Sequence, residues 1–162
     1  MTIREEILEI PVPDYESEIQ KPMAGKNHAR IQTRLVSYLD QHYDSEFDIL
    51  SELDLELPGR ARPDVCIYPN LSFDWWDEVH KVQDPPLTTI EILSYGQGVE
   101  DLLDKAREIY FPSGVKSSWF IVPAFGVVHI AIPGQETLTF TKKDRLKDPA
   151  TGIEVDLSEI FR

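Results

Sequence analysis

The chain has a single cysteine, Cys66, so it holds no internal disulfide and no cysteine-based zinc cluster. Cys66 lies in a strand-like run and reads as a small packed hydrophobe. No apolar run approaches the roughly 18 residues that a membrane helix requires, which argues against a membrane partner. Met1 is followed by Thr2-Ile3-Arg4-Glu5-Glu6, without the basic start and apolar core of a secretory signal, so a cytoplasmic location is expected. Positive charge is scarce: 16 Lys and Arg stand against 29 Asp and Glu, a net charge of −13. Proteins that hold nucleic acid through its phosphates usually show a basic face, and here the average field repels a polyanion. A DNA-acting reading therefore needs the acids gathered at a metal site or on a remote surface.

What is present is a foldable chain. With 162 residues, 41% of them hydrophobic, and three tryptophans, it is long enough to bury a sizeable core. Without repeat, low-complexity tract or linker, residues 1–162 read as a single α/β domain.

Residues 1–22 form an irregular or strand-forming lead-in, where Pro11 and Pro13 rule out a long helix. The spacing of Ile31, Leu35, Tyr38, Leu39 and His42 predicts a helix over Lys26–Tyr43, with Asn27 as its N-cap. Alternation from Ile49 to Leu57 predicts one half-buried strand, with Pro58-Gly59-Arg60 turning into a returning strand over Ala61–Pro69. Asn70–Pro86 is a polar loop carrying Trp75-Trp76, placed either against the body or at a subunit contact. Thr88–Ser94 reads as a strand and Val99–Phe111 as a helix with Leu102, Leu103, Ala106 and Tyr110 on its apolar side. Ser118–Val122 suits a sheet centre covered on both faces. Val127–Ile132 and Thr137–Thr141 read as a closing hairpin, and Ile153 to Ile160 as a short strand or helical turn.

Two positions break these patterns. Asp64 begins an otherwise apolar run and Glu91 interrupts one, so each puts a carboxylate where a strand should bury side chains. A buried, unpaired carboxylate costs several kcal/mol, so such residues normally have a cation, a strong donor or a metal beside them. Two acids on neighbouring strands with a lysine nearby are the parts of a divalent-metal site.

The motifs in order are Lys21-Pro22-Met23 with His28, Arg62-Pro63-Asp64-Val65, Glu91-Ile92-Leu93-Ser94, Asp101 to Lys105, and Gly114-Val115 before Trp119-Phe120-Ile121-Val122. Together they resemble the Uma-type family of candidate restriction endonucleases, bacterial proteins long catalogued as a domain of unknown function, within the PD-(D/E)XK nuclease superfamily. The resemblance covers residues 15–132. It implies a restriction-endonuclease-like core, a central mixed sheet flanked by helices in αβββαβ order, with extra N- and C-terminal strands. It also implies a magnesium-dependent DNA endonuclease, with Mn²⁺ as an alternative ion, paired as a homodimer. The superfamily lysine two residues after the second acid is replaced here by Leu93. The resembling family carries a lysine in the following helix instead, which corresponds to Lys105.

Magnesium prefers carboxylate and carbonyl oxygens and keeps several waters. Asp64, Glu91 and the Ile92 backbone carbonyl are the candidate ligands, and Lys105 the cation that positions water or offsets transition-state charge. Plainer roles compete for each: Asp64 as a strand-starting residue after proline, Glu91 on a half-exposed face, Lys105 as a solvated partner of Asp101. His28 reads as a surface or capping group near the pocket, Gln97 as a loop residue within reach of a phosphate, Glu52 as solvent-facing, and His129 as a satisfied strand histidine. Ser94 has no histidine at a telling spacing, and Gly96-Gln97-Gly98 is no P-loop. Two other functions stand beside the nuclease: a non-catalytic homodimeric interaction protein on the same fold, and a small-molecule metal hydrolase. A basic rim from Lys26, Arg30, Arg60, Arg62 and Lys105 would favour nucleic acid.

Overall fold

A computed structural model describes residues 24–162; the lead-in and the Lys21-Pro22-Met23 motif lie outside the described residues. Helix α1 spans Lys26–Tyr43 and buries His28, Ile31, Leu35, Tyr38 and Leu39, spaced three and four apart on one face. Its N-cap is Gly25 and makes no side-chain capping bond, so Asn27 is not the cap. Burial of His28 in the first turn anchors this end instead.

The six-stranded sheet runs β1-β4-β5-β6-β7-β8, where β1 is Phe47–Ser51, β4 Val65–Pro69, β5 Thr88–Ile92, β6 Ser117–Val122, β7 Val127–Ala131 and β8 Leu138–Thr141. All pairings are antiparallel except β5 with β6, which lie parallel across a helical crossover. Every residue of β6 is buried, as its continuous apolar run predicts.

The long strand expected over Ile49–Leu57 is broken. Glu52 takes φ 56°, a left-handed conformation rare for this residue type, and its N–H donates to the Asp64 carbonyl at 3.1 Å. Beyond this kink a separate hairpin forms from β2 (Leu55–Leu57) and β3 (Gly59–Ala61), while β1 pairs with β4. Gly59 sits at φ 121°, and a Cβ there would lie 2.9 Å from Ile109 Cγ1, so a larger residue would strain the backbone and push Ile109 aside where this hairpin packs on the helix opposite.

The helix expected over Val99–Phe111 also changes character. α2 is regular over Val99–Lys105, then a π-helical turn covers Ala106–Tyr110, with Phe111 N–H donating to the Ala106 carbonyl at 2.8 Å. Cys66, Tyr68, Leu102, Ala106, Tyr110 and Phe120 are among the residues packed on this side of the sheet. On the other side α1 packs with β9 (Arg145–Lys147), β10 (Glu154–Asp156) and α3 (Leu157–Ile160) around Trp119, Ile121 and Val155. There Asp148, fully buried, accepts from Ser117 Oγ at 2.6 Å and Trp119 Nε1 at 2.7 Å, which ties the C-terminal segment to β6.

Candidate active site

Alternation along β5 turns Ile90 and Ile92 toward α1 and Glu91 toward α2. Glu91 is 2% exposed, so it does not sit on a half-exposed face. Its Oε1 accepts from the Tyr110 hydroxyl at 2.5 Å and lies 3.5 Å from Lys105 Nζ. Lys105 comes from α2, its side chain 12% exposed, so the stem lies along the apolar surface while the amine reaches the carboxylate. Asp101, the rival partner of Lys105, turns back to accept from the Gly98 N–H at 3.2 Å and closes the helix start.

Asp64 is 1% exposed and lies just before β4, whose register sets Val65 opposite Ile90. Its Oδ2 accepts the Ile92 N–H at 2.7 Å and its Oδ1 lies 3.1 Å from His28 Nε2. Its backbone carbonyl takes Gln32 Nε2 at 2.9 Å besides the Glu52 N–H. Four groups from three segments therefore hold this residue, and the first acid is tied to the position directly after the second.

His28 is buried rather than at the surface. Gln97 Oε1 accepts from the Ser94 N–H at 3.3 Å, closing the loop after β5. Glu52 is exposed as expected, with its carboxylate held by Gln32 and by Arg62 at 3.3 Å. His129 Nδ1 pairs with Thr139 Oγ1 at 2.9 Å across β7 and β8, the satisfied strand histidine expected. Sequence reasoning placed Tyr110 only in an apolar stripe. The available signal was its hydroxyl, since a buried tyrosine needs a partner and Glu91 needs a donor. Burial, and then the nearby Glu91 charge, push the Tyr110 hydroxyl well above the ordinary tyrosine range, which keeps it protonated and donating.

Three of the five cations of the expected rim face acids of the same chain. Arg60 pairs with Asp54 at 2.8 Å, Arg62 with Glu52, and Lys105 with Glu91. Among the described residues, no group of three or more His, Cys, Asp or Glu side chains is arranged to hold a metal. Two carboxylates with a backbone carbonyl are nevertheless hard oxygen donors, suited to an ion that keeps most of its waters. Each carboxylate is also aimed by a protein donor, as metal-ligating carboxylates usually are. By their chemistry such oxygens suit a hard, hydrated cation rather than a soft metal.

Among solved structures, the chain is similar to one titled as a putative nuclease belonging to DUF820 from Anabaena variabilis ATCC 29413. The TM-score is 0.74 at 21% identity, covering 86% of this chain and 83% of that one. At that identity the likeness establishes the restriction-endonuclease-like fold and nothing about activity. No curated protein matches. Residues 6–158 match the Uma2 family, described as "Putative restriction endonuclease", and the chain belongs to that family.

Proposed function

We propose that this protein is a divalent-metal-dependent endonuclease that hydrolyses DNA phosphodiester bonds. Asp64 and Glu91 supply carboxylates to Mg²⁺ or Mn²⁺, the Ile92 carbonyl is the third ligand, and Lys105 is the catalytic cation. The observation that carries this reading is the meeting of Lys105 with a buried Glu91, one residue away from the peptide that holds Asp64. Strand geometry supports the third ligand. The N–H and C=O of one strand residue point to the same side. Because the Ile92 N–H is directed at Asp64, its carbonyl belongs on the Asp64 side too.

A bound divalent ion would polarise the phosphoryl oxygens and lower the pKa of a water. The chain's own residues do the rest. Asp64 and Glu91 orient the donor set, the network around Asp64 keeps it from drifting, and Lys105 sets positive charge where the phosphate gains negative charge. Glu91 and Ile92 lie on strand β5 and Asp64 on the residue that leads into β4, and strands are stiffer supports than loops. The test is cleavage of plasmid and single-stranded DNA with Mg²⁺ or Mn²⁺, beside Asp64→Ala. Metal-dependent nicking lost in the variant supports the reading; equal nicking by both proteins refutes it.

A second reading rests on a separate observation. Trp75 is 89% and Trp76 99% exposed, with Phe73 stacked on Trp75 at a centroid distance of 5.6 Å. Such aromatics are typical of interface centres. They support a homodimer, and with no DNA cleavage they would support a non-catalytic interaction protein.

A further inference from the structure

Lys105 and Tyr110 are five residues apart, yet both approach Oε1 of Glu91, at 3.5 Å and 2.5 Å. A regular α-helix has 3.6 residues per turn, so positions five apart differ by about 140° around the axis and face different neighbours. The helix is not regular here. From Ala106 to Tyr110 it is π-helical, and the i→i+5 hydrogen bonding of that form gives residues five apart roughly the offset that residues four apart have in an α-helix. The widened turn is backed by the β2–β3 hairpin, where Gly59 makes room for Ile109. The Tyr110 ring is buried among Cys66, Phe120 and Leu102, which fixes the direction of its hydroxyl.

We propose that Tyr110 is a positioning residue for Glu91, and that the π turn is the device that brings its hydroxyl and the Lys105 amine onto one carboxylate oxygen. This rests on the nuclease reading above and adds to it a residue and a backbone feature. Tyr110 and Lys105 occupy Oε1 together, so the carboxylate cannot rotate freely about its last bond. The plane that Glu91 presents to a cation is thereby set before the cation arrives. The hydroxyl is the active part of Tyr110, and the ring its support.

Tyr110→Phe keeps the ring and removes the hydroxyl. Two measurements separate this inference from the nuclease reading. The first is a metal-free thermal cycle of wild type, Tyr110→Phe, Glu91→Gln and the double variant. The double variant should lose less than the sum of the single losses, because both singles break one contact. Additive losses would overturn the inference, whether or not the protein is a nuclease. The second is manganese titration by electron paramagnetic resonance. Tyr110→Phe should bind about tenfold or more weakly, the usual cost of removing a partner that orients a ligand. Coupling in the cycle with unchanged manganese affinity would reduce Tyr110 to a structural bond and overturn the positioning role. A wild type that binds no manganese would instead remove the metal reading itself, and the positioning role with it.

Deletion of the exposed Arg107 tests the backbone feature. Lys105 and the tyrosine become four apart, which a regular α-helix turns to within about 40° of each other. Manganese affinity should stay within about threefold of wild type. A folded deletion variant that binds like Tyr110→Phe would show that the π turn does more than absorb one residue.

Discussion

The carboxylate of Asp64 and the backbone N–H of Ile92 are joined by a buried 2.7 Å hydrogen bond. This bond crosses from the start of β4 to the end of β5 and makes the position of one acid depend on the strand that carries the other. Asp64 and Glu91 are thus parts of one rigid corner of the sheet. Substitutions at this corner should change chemistry more than fold wherever the remaining bonds keep the strands paired.

Lys105→Met keeps a long apolar stem and removes the charge. If the ammonium acts on the scissile phosphate, plasmid cleavage should fall by about 100-fold or more. Circular dichroism should stay that of the wild type. Cleavage at the wild-type rate would leave Lys105 as no more than the counter-ion of Glu91.

Glu91 and Asp64 are nearly buried carboxylates, with Lys105 beside the first and His28 beside the second, and a divalent ion would offset negative charge at this corner. Magnesium or manganese at millimolar concentration should therefore raise the melting temperature of the wild type. Glu91→Gln should lose most of that rise. An equal rise in both would place the ion somewhere else.

Gly59→Ala puts a methyl group against Ile109 at a backbone angle disfavoured for alanine. The expected loss is about 1–3 kcal/mol in urea unfolding, with reduced manganese affinity because the shifted hairpin disturbs the π turn. A variant as stable as wild type would mean that the hairpin yields easily.

Tyr68 is buried and donates to the Asp84 carbonyl at 2.8 Å, and burial, with the neighbouring Cys66 next in weight, raises its hydroxyl above the ordinary tyrosine range. A raised folded-state pKa means stability that is fully present below about pH 10 and is lost as pH rises beyond it. The melting-temperature advantage of wild type over Tyr68→Phe should shrink between pH 9 and pH 11. A constant gap over that range would exclude this hydroxyl as a source of alkaline sensitivity.

The exposed Phe73, Trp75 and Trp76 should be covered if the protein dimerises through them. Sedimentation at tens of micromolar should then give twice the 18.6 kDa chain mass, and Trp75→Ala/Trp76→Ala should return it to the monomer. A wild-type monomer at that concentration removes the dimer.

Local pattern was enough for much of this protein. Periodicity alone marks α1, the all-buried β6 and the β7–β8 hairpin, because each obeys one repeat from end to end. Asp64 and Glu91 stand out for the same reason, as acids inside apolar runs, and Lys105 follows from a family resemblance. The tertiary structure decided what no local repeat encodes. The kink at Glu52 answers to the carbonyl of Asp64, the open turn beside Gly59 to Ile109, and the π turn to an oxygen of Glu91. Each is a departure from regular backbone that faces a partner distant in sequence. Such partners become neighbours only when the chain folds, so a reading of nearby residues records the regular element and misses its exception. Tyr110 lies at such an exception: by spacing it is one more apolar contact, and only the folded arrangement sets its hydroxyl against Glu91.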